Sequence, residues 1–140
     1  MNWYKQSLEI VTRGKGMTDI TTLVAECISG WQVQEGMCHL FVPHTSVSLA
    51  ISENHDPTAR LDIETGLEKL VPERQAWMRH TLEGDDDSAS HIRTILTGVD
   101  LSIPVDDGRL SLGTWQGIYL FEHRSTGRRR EVLVRCLGVN

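Results

Sequence analysis

Two apolar segments near the C-terminus place the tightest constraint on the fold. Residues 117–123 and 131–137 are rich in aliphatic and aromatic side chains, and residues 125–128 form a polar turn between them. This composition predicts two strands. Because each segment carries apolar side chains on both faces, we expect both strands to lie at the centre of a sheet or at an interface.

The rest of the chain alternates between further strands and helices. Alternating or short apolar runs predict strands at residues 7–12, 37–42, 47–51, 99–105 and 109–112. Asp106, Asp107 and Gly108 predict a hairpin turn between the last two. The total is about seven or eight strands with two or three helices, in a single domain of residues 1–140. The expected fold is α+β, with a largely antiparallel sheet or two packed sheets.

Two of the helices have clear sequence signals. Apolar residues recur at helical spacing over residues 20–28, and Asp56 followed by Pro57 is typical of a helix cap and first turn. We expect this second helix to extend to about Leu70. A third helix is predicted from Asp87 or Ser88 to Leu96. Its expected buried stripe consists of Ala89, Ile92, Ile95 and Leu96.

Composition limits the function classes. With 39% hydrophobic and 24% charged residues, the chain has the balance of an ordinary globular protein. It contains no apolar stretch near the roughly 20 residues that a membrane span needs. The N-terminus lacks a signal-peptide layout, so we expect a cytoplasmic protein without membrane contact. The net charge of −5 argues against nucleic-acid binding.

The three widely spaced cysteines predict buried, reduced thiols.

Polar residues that bind metals or phosphate are concentrated in residues 80–91. Two histidines, His80 and His91, flank an acidic run, and a third, His44, lies in a polar loop at residues 43–46. Three imidazoles with an open fourth position would form a zinc site that activates water. Carboxylates would instead favour magnesium or manganese. A neutral histidine can also carry protons without any metal.

The acidic run has a structural interpretation as well. Asp85, Asp86 and Asp87 precede a predicted helix, where carboxylates cap free N–H groups. We expect Asp87 to do only this. Glu83 and Asp85 are the candidates for metal binding or general-base work, since Gly84 between them permits a tight turn.

Two further segments allow two interpretations each. Trp115 and Gln116 either form a bend with a packed ring or line a pocket that stacks on a planar substrate. The run Arg128, Arg129 and Arg130 is either a solvated hairpin turn or a clamp for an anion.

Four segments together resemble the YjbQ family, often called secondary thiamine-phosphate synthase enzyme. They are residues 41–46 with Glu53 and Asn54, residues 80–87 with residues 91–93, residues 110–116, and Glu122 followed by the arginine run. The resemblance implies a compact α+β fold, a homotrimer, a metal-associated site near subunit contacts and weak thiamine-phosphate synthesis. Ser52 and His123 depart from the usual family pattern.

The residue chemistry and the resemblance together define a candidate site. The expected catalytic residues are His44, Glu53, His80, Glu83 and Asp85. The expected substrate-binding residues are Thr45, Asn54, Thr114, Trp115, Gln116 and Arg130. The expected ligands of a divalent metal, zinc or magnesium, are His44, His80 and His91.

Three functions are compatible with these residues. The first is a synthase-like transferase that joins a pyrimidine pyrophosphate to a thiazole phosphate, although the chain has no glycine-rich phosphate loop. The second is a metal-dependent hydrolase of phosphorylated metabolites, with Glu83 as base. The third is a non-catalytic trimer that binds a metabolite. We favour the first, with a phosphorylated small molecule as substrate.

Overall fold

The computed structural model describes all residues, 1–140. It contains, in order, β1 (Asn2–Val11), β2 (Gly16–Asp19), α1 (Thr21–Trp31), β3 (Glu35–Phe41), β4 (Val47–Glu53), α2 (Pro57–Leu70), α3 (Asp87–Thr97), β5 (Asp100–Asp106), β6 (Arg109–Leu110), β7 (Gln116–Glu122) and β8 (Arg129–Val139). The strands form two antiparallel sheets, a large one ordered β1-β8-β3-β5-β6 and a small one ordered β2-β7-β4. The predicted α+β fold is confirmed.

The two apolar C-terminal strands occupy interior positions, as predicted. β7 lies between β2 and β4, and β8 lies between β1 and β3. They belong to different sheets, however, so the expected hairpin between them is wrong. The reason is that both edges of β7 are already paired. The chain from residue 123 to residue 128 therefore crosses from the small sheet to the large one.

The main core lies between the two sheets and α1. Seventeen buried side chains form it, among them Leu40, Leu49, Ile118 and Val134. Cys38 and Cys136 face each other across β3 and β8 within this core. Burial raises the pKa of Cys38 to about 12. All three cysteines are free thiols, as predicted, but only Cys38 and Cys136 are buried, and Cys27 is partly exposed.

Local signals predict α2 and the β5–β6 turn well. The Asp56 carboxylate accepts a hydrogen bond from the Thr58 backbone at 2.9 Å, and Pro57 begins the helix. Asp107 and Gly108 have φ angles of 50° and 77°, the left-handed pair that a tight hairpin needs. None of the three helices is long and apolar enough to cross a membrane.

Helix α3 has nearly the predicted bounds, but only Ala89 and Ile92 of its expected apolar stripe pack against the core. Ile95 and Leu96 are 83% and 63% exposed, whereas Ser90, Arg93 and Thr94 are buried. The expected apolar stripe is therefore wrong for these two residues. Polar partners explain the difference, because the buried guanidinium of Arg93 donates to the Val71 carbonyl at 2.7 Å.

Candidate functional site

Three side chains that could bind a metal meet at the start of α3. The ligand atoms of His80, Asp87 and His91 all lie within 4.8 Å of one another. Asp87 and His91 are four residues apart on the helix and so share one face, while His80 comes from the preceding loop. Nε2 of His80 lies 2.7 Å from Asp87 Oδ2, and Nε2 of His91 lies 3.1 Å from the same oxygen.

The guanidinium of Arg124 fixes the acidic side of this cluster. Its Nη1 donates to Asp87 Oδ1 at 2.7 Å, its Nε to Asp86 Oδ2 at 2.9 Å and its Nη2 to the Glu83 carbonyl at 2.8 Å. Burial raises the pKa of Asp87, but the hydrogen bond to His80 and the nearby charges of His91 and Arg124 outweigh it and lower the pKa. Asp87 therefore remains a carboxylate, with Oδ2 facing the two imidazoles.

The loop that contains Thr45 orients His91. A carbonyl oxygen can only accept, so the 2.7 Å contact to the Thr45 carbonyl makes Nδ1 of His91 a donor. Its other nitrogen, Nε2, faces the Asp87 carboxylate, which is also an acceptor. A neutral imidazole has only one N–H. Either a second proton or a cation must therefore lie between His91 and Asp87.

This donor set fits a divalent metal. Two imidazole nitrogens and one carboxylate oxygen suit zinc or manganese better than magnesium, which prefers an all-oxygen environment. The hydrogen bonds on the far sides of His91 and Asp87 are the kind that orient metal ligands in proteins. His80, Asp87 and His91 are the residues that would hold the ion.

His44 does not join this cluster within one chain. Its Nε2 accepts a hydrogen bond from the Glu131 backbone N–H at 2.9 Å, beside β8. Burial, followed by the charge of Arg130, lowers its pKa. The ring lines an open cavity of about 370 Å³ whose wall includes Ser7 and Arg129. His44 thus lies next to Thr45 in sequence but apart from the three convergent ligand atoms.

Five other predicted site residues lie at the opposite end of the small sheet. They are Glu53, Asn54, Thr114, Trp115 and Gln116. Glu53 ends β4 and Gln116 begins β7, whereas His91 contacts the loop before β4. The six residue steps from Gln116 to Glu122 correspond to about 20 Å of strand. Trp115 contacts the ring of His55, with 4.7 Å between ring centroids, rather than any residue of the cluster.

The remaining predicted residues make other contacts. The side chain of Asp85 pairs with Arg74 at 2.9 Å in solvent, and Glu83 is linked to the cluster through its backbone carbonyl. The guanidinium of Arg130 is buried and donates to Glu122 and Ser46. Within the arginine run, only the exposed Arg128 and Arg129 could therefore bind an anion.

The comparisons with known proteins give the family. A family model described as UPF0047 protein YjbQ-like matches residues 6–139. The chain belongs to this family. The UPF0047 protein YjbQ of Salmonella typhimurium is 42% identical to this YjbQ-like chain over 137 residues, which are 97% of the chain and 99% of that protein. A UPF0047 protein of Synechocystis is 42% identical over 135 residues, 96% and 92% of the two chains.

Solved structures agree with the YjbQ-like fold. A crystal structure of a YbjQ-like protein of unknown function from Sulfolobus solfataricus matches with a TM-score of 0.90 at 27% identity, covering 99% of each chain. A conserved hypothetical protein from Thermus thermophilus matches with a TM-score of 0.85 at 40% identity, covering 94% of this chain and 99% of that one.

Two residues at this site of the YjbQ-like chain, Asp87 of the cluster and Arg124 beside it, were not predicted from the sequence. The expectation that Asp87 only caps α3 is wrong, because the residue is 4% exposed and its carboxylate contacts His80, His91 and Arg124. The four-residue spacing of Asp87 and His91 was a usable signal. Arg124 lies 33 residues beyond His91 in sequence, and no local pattern marks it.

Proposed function

We propose that this chain is a metal-dependent enzyme of phosphorylated small molecules, with thiamine-phosphate synthesis as the activity that the family resemblance implies. One observation supports the metal above all. Two imidazoles and a carboxylate converge within 4.8 Å, while the far atoms of Asp87 and His91 are already bonded to Arg124 and Thr45. Such an arrangement leaves the near atoms available to a cation.

The residues of the chain would have distinct tasks in this activity. A bound divalent ion would supply positive charge for the pyrophosphate that leaves as the pyrimidine is joined to the thiazole. His80, Asp87 and His91 would hold that ion. Arg124 and the Thr45 carbonyl would keep two of the ligands oriented.

Hydrolysis of phosphate esters is a second candidate, because the cluster is open to water. The side chains of His80 and His91 are 51% and 36% exposed. Transfer to a thiazole needs water to be excluded from the reacting atoms. Where water reaches the reacting atoms, water can act as the acceptor in place of the thiazole.

One experiment tests both candidates. Protein loaded with Zn²⁺, Mn²⁺ or Mg²⁺ is assayed for thiamine-phosphate formation and for p-nitrophenyl phosphate hydrolysis. The variants are Asp87→Asn and, as a control, Asp62→Asn, which removes an exposed carboxylate from α2. We expect Asp87→Asn to weaken metal binding and activity by on the order of 100-fold or more, and Asp62→Asn to behave as wild type.

The possible results separate the functions. Thiamine-phosphate formation supports the synthase, and ester hydrolysis alone supports the hydrolase. Stoichiometric metal without either turnover indicates the non-catalytic binding protein. A wild-type protein that binds none of the three ions contradicts the metal-dependent proposal.

We propose in addition that the chain assembles as a homotrimer. The outward face of the large sheet exposes Trp3, Met37 and Leu137, which are neighbours across β1, β8 and β3. A second apolar surface lies on α3 at Ile95 and Leu96. Exposed apolar patches of this kind are typical of subunit contacts. Two different patches suit a head-to-tail contact, which closes into a ring.

Light scattering after size exclusion tests the assembly. We expect wild type to elute at three times the chain mass, and Met37→Lys and Ile95→Lys to shift towards the monomer. Leu70→Lys is the control, since it changes an exposed apolar residue on α2, outside both patches. A wild-type monomer, or an unchanged trimer in both patch variants, would refute the proposed contact.

A further inference from the structure

A buried ion pair lies between the two sheets, next to the cluster. Glu122 is 1% exposed and Arg130 is 5% exposed. Nε of Arg130 donates to Glu122 Oε1 at 2.8 Å, and Nη2 donates to Oε2 at 2.5 Å. The same carboxylate accepts from the Thr12 hydroxyl at 2.7 Å. Buried ion pairs often add little net stability, because removing two charges from water is costly. The contacts of this pair indicate another role.

One set of contacts leads to the loop that orients His91. Nη2 of Arg130 donates to Ser46 Oγ at 2.8 Å and to the Ser46 carbonyl at 3.3 Å. Residues 42–46 lie outside every helix and strand, so no strand pairing fixes them. Thr45, directly before Ser46, presents the carbonyl that accepts from His91 Nδ1. The Ser46 carbonyl also accepts from the His123 backbone N–H at 3.2 Å, so Arg130 and His123 together hold the residue next to the Thr45 carbonyl.

A second set leads to the residue that orients Asp87. Glu122 Oε2 accepts from the backbone N–H of His123 at 3.1 Å and of Arg124 at 3.2 Å. β7 ends at Glu122, so these bonds fix the backbone where strand pairing stops. The Arg124 side chain then donates to Asp87 Oδ1 at 2.7 Å.

We propose that Glu122 and Arg130 are positioning residues of the candidate metal site. The pair fixes the Thr45 carbonyl that accepts from His91 and the Arg124 guanidinium that donates to Asp87. Neither Glu122 nor Arg130 touches the ligand atoms. The consequence for metal affinity rests on the proposed function, whereas the consequence for the His91 ring does not.

The test compares two double variants. Glu122→Gln with Arg130→Met removes both buried charges together, which proteins often tolerate. Glu9→Gln with Arg129→Met is the matched control, because these residues form an exposed pair at 3.5 Å between β1 and β8. Ser46→Ala leaves the ion pair intact and removes only the Oγ contact, so it tests the link even if the first variant fails to fold.

Two readouts separate positioning from metal dependence. In metal-free protein with ¹⁵N-labelled histidine, we expect a slowly exchanging His91 Nδ1–H signal in wild type and control, and its loss in the buried-pair variant and Ser46→Ala. Zn²⁺ affinity, from chelator competition, should fall by about 10- to 100-fold in the buried-pair variant. Signals and affinities that match wild type in both variants would overturn the positioning role. If wild type does not bind Zn²⁺, the metal proposal is contradicted but the positioning role is not. The His91 Nδ1–H signal then still shows whether Glu122 and Arg130 position His91.

Discussion

His123 is a buried histidine that is only 1% exposed. Its Nε2 lies 2.7 Å from Ser48 Oγ. Burial, followed by the charge of Arg93, lowers the pKa of His123 to about 3. In the unfolded chain His123 has its ordinary pKa of about 6.5 and binds a proton below that pH. In the folded chain its ring stays neutral. Stability is therefore fully present above about pH 6.5 and is lost as the pH falls towards 3.

The magnitude follows from the difference between these two pKa values. From pH 7 to pH 5, a single buried neutral histidine reduces the free energy of unfolding by about 2 kcal/mol. The folded pKa lies well below pH 5, so this figure changes little if that pKa is a unit higher. His44, whose pKa is also lowered, contributes in the same direction. Its contribution is common to wild type and any His123 variant, and cancels in their difference.

Urea unfolding of wild type and His123→Gln at pH 7, 6 and 5 measures the effect. Glutamine retains polar atoms that can contact Ser48, and it has no proton to gain in this range. We expect the variant to lose about 2 kcal/mol less stability than wild type between pH 7 and pH 5. Equal pH dependence in the two proteins would refute the assignment of a buried neutral imidazole.

Three further predictions concern local structure and can be checked by urea or thermal unfolding. Gly66→Ala should stabilise the protein by up to about 1 kcal/mol, because the added methyl group on α2 meets no other atom within 4 Å; a lower unfolding midpoint would contradict this. Gly127→Ala should be strongly destabilising, because its Cβ would overlap the backbone of Thr12; an unchanged melting temperature would count against that contact. Asp56→Ala should cost about 1 kcal/mol, since it removes the cap of α2, and Asp56→Asn should recover most of the loss.

Signals that act over a few residues were predictable from the sequence. The Asp56 cap with Pro57 places the start of α2, and Asp107 with Gly108 places the β5–β6 turn. The apolar segments at residues 117–123 and 131–137 were predicted to be interior strands, and each is paired on both sides, although β8 buries only alternate residues. Family membership was likewise predictable, since the motifs that carry it can be read directly from the sequence.

The candidate site depended mainly on contacts between residues far apart in sequence, with the four-residue spacing of Asp87 and His91 as its one local signal. His80 and His91 were predicted to share a site, and they do contact one carboxylate. That carboxylate is Asp87, whose position before a helix made capping the simpler interpretation. Glu53 and Gln116 share motifs with these residues in the family resemblance, yet the length of β7 separates them from the cluster.

The sequence by itself therefore determined the three helices, every strand except β2, the α+β class and the residue types available for chemistry, because caps, turns and periodicity act over a few residues. Only the tertiary structure decided which side chains meet. The crossing from β7 to β8 places Arg124 against Asp87 and Arg130 against Glu122 and Ser46. Long-range hydrogen bonds from Arg124 to Asp87 and from Arg93 to the Val71 carbonyl hold polar side chains of α3 in the interior, while Ile95 and Leu96 remain exposed.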